Sequence, residues 1–166
     1  MNLFVTDECP VKSAQHHCNV HNVKMILEVA QMLSTAHFVL DGIQVGYKPT
    51  HRNHPCSVWI RETSENYTWA FNHLKALCDE YTYRKGKVHK TTELLKSLAK
   101  QPSKIVSAAR TQFVVAAPDK HKITGIFNPI KGYQDYLNEK FAEWACRDKP
   151  IRVEWSKRNK PEWLSI

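Results

Sequence analysis

Five polar side chains, His21, Lys24, Glu28, Gln31 and Thr35, follow one another at intervals of three, four, three and four residues. At about 100° per residue this spacing stacks them on one line of a helix. The residues between them (Val23, Met25, Ile26, Leu27, Val29, Ala30, Met32, Leu33) are apolar. Such a helix is wrapped by core on most sides, and its narrow polar stripe is costly to bury unless it meets water, a partner or a ligand. A carboxylate one turn from an ammonium can do general acid–base work at a cleft wall. It can also be an ordinary i,i+4 pair on a solvated face, worth about 0.2–0.5 kcal/mol. A solvated face would be wider and more charged, so a cleft wall is the expectation.

A second group sits in the loop Thr50-His51-Arg52-Asn53-His54, held between Pro49 and Pro55. Proline fixes its own φ and restricts the residue before it, so this polar loop is stiff, and stiff polar loops tend to carry function. Arg52, Asn53, His54 and Arg61 together would make an anion-binding shelf, because Arg offers a planar fork to phosphate while Asn and His can read a base edge or a backbone group. Asn and His beside Pro serve equally often as hydrogen-bonders at helix starts, and both readings stand at this point. A metal centre is not expected. His17 and His21 lie at i,i+4 near Cys9 and Cys18, but no second ligand pair follows at zinc spacing. Nor does any motif call for another cofactor.

The elements that must position these residues follow from punctuation and periodicity. Leu3-Phe4-Val5 should pack in the core and anchor Met1. Pro10, capped from Thr6 or Asp7, should open a helix over residues 10–18, and Asn19 should cap a second over 20–36. The chain becomes helical again from Ser57, and Ser64 is the expected cap of a long helix ending near Gly86. Asn66, His73, Glu80 and Arg84 draw a second polar line along it. Thr91 or Thr92 should cap a short helix through Ala99. Residues 103–128 read as extended or coiled, with Pro118 and Gly125 indicating loop. A last helix is expected from about Ile130 to Cys146, with Tyr133, Leu137, Phe141 and Trp144 on one face. The basic tail with Trp155 and Trp163 should dock on the body, since aromatics argue against free disorder.

Composition sets the frame. A chain of 166 residues fits one domain. Lys and Arg number 24 against 16 Asp and Glu, a net charge of +8, which suits a polyanionic partner. Five cysteines without paired spacing, and no signal-peptide pattern, suggest free thiols in a reducing cytoplasm. Apolar runs are interrupted by charges, so no membrane span is expected.

Met1-Asn2-Leu3-Phe4 at the start, a helix carrying Glu28 with Gln31 after it, then Arg52-Asn53-His54-Pro55 leading into a long helix: this layout resembles the pyrimidine-dimer DNA glycosylase family, which includes the phage endonuclease V type. The likeness covers the first half of the chain; the chain is also similar to phage proteins without an assigned activity. The resemblance implies a mostly helical enzyme whose N-terminal amine attacks C1′ of a damaged nucleotide while a helix-borne glutamate assists. Carried over, these are Met1 and Glu28. The endonuclease V type exposes a Thr by removing Met, whereas Asn2 is too large for efficient removal, and Leu27 stands where the family often has Arg.

The expectation is therefore a mostly α, single helical domain with irregular loops and a docked C-terminal tail, glycosylase-like over residues 1–101 and unassigned over 102–166. It would act on duplex DNA as an N-glycosylase, with a lyase step open to the same amine. Met1 and Glu28 would be catalytic, and His21, Lys24, Gln31, Arg52, Asn53, His54 and Arg61 would bind substrate. The alternatives are a non-catalytic module that sequesters a nucleotide or nucleic acid, and an enzyme acting on free nucleotides.

Overall fold

Helix α1 (Pro10–His16) begins on a proline, which fits the first turn because its missing N–H would be unsatisfied there anyway. Its cap position is Cys9, and Asp7 accepts from the Cys9 N–H at 2.8 Å. In the computed structural model, which describes residues 1–165, the chain continues through α2 (Asn19–Asp41), α3 (Pro55–Glu62), α4 (Ser64–Lys85), a 3₁₀ turn (Lys90–Leu94), α5 (Leu95–Leu98), α6 (Asp119–Phe127) and α7 (Pro129–Ala145). No strand occurs among the described residues.

Gly42 and Gly86 end α2 and α4 in the left-handed conformation, at φ 73° and 65°, where glycine carries no Cβ penalty. The caps differ from expectation by a residue or so. Thr63, not Ser64, accepts from the Asn66 N–H to start α4, and His89 rather than Thr91 or Thr92 caps the 3₁₀ turn. Cys18 occupies the cap of α2, and the Asn19 amide instead holds the tail, donating to Ser156 Oγ at 2.9 Å and accepting from the Ser156 N–H at 3.1 Å.

Helix α2 is the central post, packed against α3 and α4, while α1 lies on α4 and α6 on α7. The core runs from Leu3 to Leu164, with Trp59, Tyr67, Tyr133 and Phe141 among its largest enclosed side chains. By length and mean hydropathy α2 would reach across a bilayer, contrary to the expectation that charges interrupt every such run, yet most of it is enclosed by the fold.

The second polar line, along α4, is internal. Asn66, His73, Glu80 and Arg84 are all buried. Arg84 donates to Glu80 at 2.7 Å and to the carbonyls of His17 and Gln15, and Arg158 reaches Glu80 from the tail with two bonds of 3.0 Å. Burial pushes the Glu80 carboxyl up, but the bonds from Arg158 and Arg84 outweigh it and hold the group below the ordinary range. The tail docks as expected: Trp155 donates to the His16 carbonyl and Trp163 to the His16 ring.

The segment read as loop up to Ile130 contains α6. Gly125 and Gly132 are why it can form there: a Cβ on Gly132 would stand 2.9 Å from the His121 carbonyl oxygen and 3.0 Å from Gly125 Cα. Two glycines let the backbones of α6 and α7 touch.

Candidate active site

The chain turns back on itself at its second residue. Asn2 Oδ1 accepts from the N–H groups of Leu3 (2.8 Å) and Phe4 (3.2 Å), an Asx-type turn, while Asn2 Nδ2 donates to the Ala116 carbonyl at 2.7 Å. Phe4 takes φ 48°, a left-handed conformation that costs a non-glycine residue about 1–2 kcal/mol. Burial of Leu3, Phe4 and Val5 holds it there. The Met1 side chain is itself enclosed, its Sδ 3.8 Å from the Ser57 hydroxyl.

This turn delivers the amino terminus to the stripe of α2. The Met1 amine lies 3.6 Å from Glu28 Oε2, and the Asn2 N–H donates to the same oxygen at 2.7 Å. Glu28 Oε1 faces Lys24 Nζ at 3.7 Å. The Glu28 side chain is 11 % exposed, whereas the Lys24 side chain is 66 % exposed. Glu28 is thus an enclosed acceptor between the amine and a lysine that stands in water. An amine and a carboxylate held this way can act as nucleophile and proton acceptor at one atom.

His54 caps α3 through Nδ1, which accepts from the Cys56 N–H at 3.3 Å. That assigns the ring proton to Nε2. Burial lowers its pKa, and the positive charges of the amino terminus and His51 lower it further against the pull of Glu28, so the ring lies within the field of the amine–carboxylate pair. Cys56, behind Asn2, has its thiol pushed up to about 11 by burial and is no nucleophile.

The other expected site residues separate into two groups. Lys24 lines the cleft with Glu28. So does His21, but as a buried ring packed on Phe4, Trp144 and Phe141 at 4.8, 5.1 and 5.3 Å, its pKa driven to about 3 by burial and by the charges of Lys140 and Lys24. It is neutral, and therefore no ionic phosphate ligand. Gln31 and Thr35 continue the stripe away from the cleft, where Thr35 Oγ1 and the Thr50 backbone bond each other. Arg52 lies over the Phe38 ring at 4.7 Å and Asn53 is exposed beside it. Arg61 donates to the carbonyls of Arg52 and Ser57. That ties the loop to α3, a scaffold's task. Among the described residues no group of three or more His, Cys, Asp or Glu could hold a metal ion.

Sequence reasoning missed the opposite wall. The cleft beside Met1 and Glu28, about 580 Å³, is closed by Tyr136, Lys140 and Trp144 of α7 and by Arg147 just beyond its end. The spacing of four between Tyr136, Lys140 and Trp144 is itself a helical line. It was hidden because Trp144 also belongs to the apolar face, so the helix read as core only. Asn2 was missed as well; its role depends on Ala116, far along the chain.

A family model described as pyrimidine dimer DNA glycosylase matches residues 1–94. No curated protein and no solved structure matches the chain. The matched stretch includes the terminal turn, the stripe of α2, the His54 cap and all of α4, and it exceeds half of the 166 residues. The chain belongs to the pyrimidine dimer DNA glycosylase family.

Proposed function

We propose that the protein is a DNA N-glycosylase in which the Met1 amine attacks C1′ of the target nucleotide and Glu28 handles protons and charge. The observation that carries this reading is the amine held 3.6 Å from an enclosed carboxylate at the edge of a cleft. The amine nitrogen forms a bond to C1′ as the glycosidic bond breaks, and the base leaves with the electron pair and takes up a proton. Glu28 accepts the proton that the attacking nitrogen sheds and stabilises positive charge on the sugar before that. Opening of the sugar ring, with O4′ protonated, leaves an imine between C1′ and the terminal nitrogen. Loss of a C2′ proton from that imine would expel the 3′ phosphate-bearing strand, which is the lyase step, and water would then release the enzyme.

The imine supplies the test. Borohydride added during reaction should reduce it and leave protein covalently attached to a damaged or modified duplex. Acetylating the terminus, or extending it by a few residues, should abolish both trapping and turnover, because an amide nitrogen forms no Schiff base. A blocked protein that cleaves at the parental rate would end the amine mechanism.

Lys24, Lys140, Arg147 and Arg52 lie around or beyond the two ends of the stripe, so duplex binding should fall steeply with salt. Each phosphate neutralised contributes about −0.9 to the slope of log K against log salt, and three or four contacts give about −3 to −4. Absence of binding at ~50 mM salt, where this attraction is strong, would remove the nucleic-acid reading.

A further inference from the structure

We infer that Asn2, Ala116, Tyr133 and Cys56 form a closed hydrogen-bonded ring that fixes where the Met1 amine stands against Glu28, with Tyr133 and Cys56 as positioning residues. This deepens the glycosylase reading and rests on it. The ring runs in one direction. Asn2 Nδ2 donates to the Ala116 carbonyl at 2.7 Å, and the Ala116 N–H donates to Tyr133 Oη at 3.1 Å. Tyr133 Oη and Cys56 Sγ lie 3.7 Å apart, and the Cys56 thiol donates to Asn2 Oδ1 at 3.9 Å. Because the thiol gives its hydrogen to Asn2, the phenol donates to the sulfur, and its oxygen is left as the acceptor for Ala116. Burial pushes Cys56 up to about 11 and Tyr133 well above its ordinary value, so both protons stay in place.

What the ring holds is the orientation of residue 2. Asn2 Oδ1 also accepts from the N–H groups of Leu3 and Phe4, and the Asn2 N–H donates to Glu28 Oε2 at 2.7 Å. The side-chain amide is therefore fixed at both ends, by Ala116 at its nitrogen and by Cys56 and the turn at its oxygen, and the amine stands only one residue away. Asn2, Cys56 and Tyr133 are buried, so water does not compete for these bonds, and in a dry site linked bonds strengthen one another. The members come from the terminus, the first turn of α3, the segment before α6, and α7. Ala116 and Tyr133 lie beyond residue 94, so the part of the chain outside the family match helps to place the amine.

Tyr133→Phe and Cys56→Ala each open the ring and leave Met1, Asn2 and Glu28 as they are. The full-length parent, the two single variants and the double variant are trapped with borohydride in single turnover, on a duplex holding one abasic site and on a duplex holding one thymine dimer. On the abasic duplex the C1′ aldehyde is already free, so trapping there reports delivery of the amine alone. Each single variant should be trapped roughly tenfold to a hundredfold more slowly per folded molecule on both duplexes, the scale of a displacement of about 1 Å, while its duplex affinity stays parental. The double variant should lose no more than the slower single one, because both changes open the same ring. Hydrogen exchange at the Asn2 N–H, measured without DNA, should speed up in all three variants. Parental trapping rates per folded molecule in the single variants, unchanged exchange, or losses that multiply in the double variant overturn the proposal and leave the glycosylase reading standing. A parent trapped on neither duplex defeats that reading and this one with it.

Discussion

Glu28→Gln should melt within about 1 kcal/mol of the parent and still bind DNA, yet lose roughly 10²–10⁴-fold in the chemical step, the usual worth of general acid–base help. The structural argument turns on Lys24. Were that lysine buried, stripping its partner of charge would leave an uncompensated ion and cost about 3–5 kcal/mol. It is instead mostly in water, where an ion pair is worth about 0–1 kcal/mol. Glutamine keeps an oxygen to accept the Asn2 N–H, so the terminal turn survives. What disappears is the negative charge facing the amine and its capacity to take a proton. Thermal melts and single-turnover rates on the same preparation separate the outcomes. A variant that melts far earlier, with parental rate per folded molecule, would show Glu28 to be a scaffold residue.

Acid should unfold this protein well before ordinary carboxylates titrate. His17, His21 and His73 form a buried group, with His17 and His73 ring centroids 5.4 Å apart and His17 and His21 6.3 Å apart. Nδ1 of His17 meets the Ser13 carbonyl at 2.7 Å and Nδ1 of His73 the Pro10 carbonyl at 3.0 Å, which places the ring protons there. Both Nε2 atoms are closed off from water and lack a hydrogen-bond partner, so a second proton would enter a dry site. Burial carries His21 to about 3 and His73 to about 4, and burial together with its histidine neighbours puts His17 well below its ordinary value. All three folded-state values lie under the unfolded value of about 6.5. As pH falls below 6.5 the unfolded chain therefore binds protons first, and stability present at neutral pH is lost progressively down to the folded-state values. Each histidine removes up to ~1.4 kcal/mol per pH unit, so His21 and His73 together should remove about 5 kcal/mol between pH 6.5 and 4.5. Native proteins have only about 5–15 kcal/mol in all. Urea midpoints measured across that range should fall steeply, and a flat profile from pH 7 to 5 would refute the assignment.

The stripe of α2 was legible because a helix converts spacing into a face, and nothing remote is needed to put Lys24 and Glu28 on one line. Its chemistry was less legible. His21 looks like any polar member of the line until the rings of Phe141 and Trp144, more than a hundred residues away, enclose it. The line on α4 was equally regular, and it turned inward because Gln15, Thr111 and Arg158 supply its partners. Periodicity says which residues share a face; only tertiary contacts decide whether that face meets water, ligand or core. Residues 103–118 had no period to read, since their backbone is held by side chains such as Asn66, Ser64 and Tyr133 rather than by a ladder. The α7 wall had a period but shared Trp144 with the core, and one helix serving both uses gives a mixed signal.

The length and hydropathy of α2 also bear on how the chain is made. Its cover on α3 and α4 lies later in the sequence, and Lys85 leaves the ribosome 44 residues after Asp41. At about 5–20 residues per second that interval lasts roughly 2–9 s. During it the nascent chain presents a 23-residue apolar helix to whatever inserts such helices into membranes. Lys24 and Glu28 lie in the first half of that helix, and a charge near the centre of a span costs about 2.5–3.5 kcal/mol on insertion. The polar line that faces the cleft in the finished protein thus also weighs against misdirection of the unfinished one.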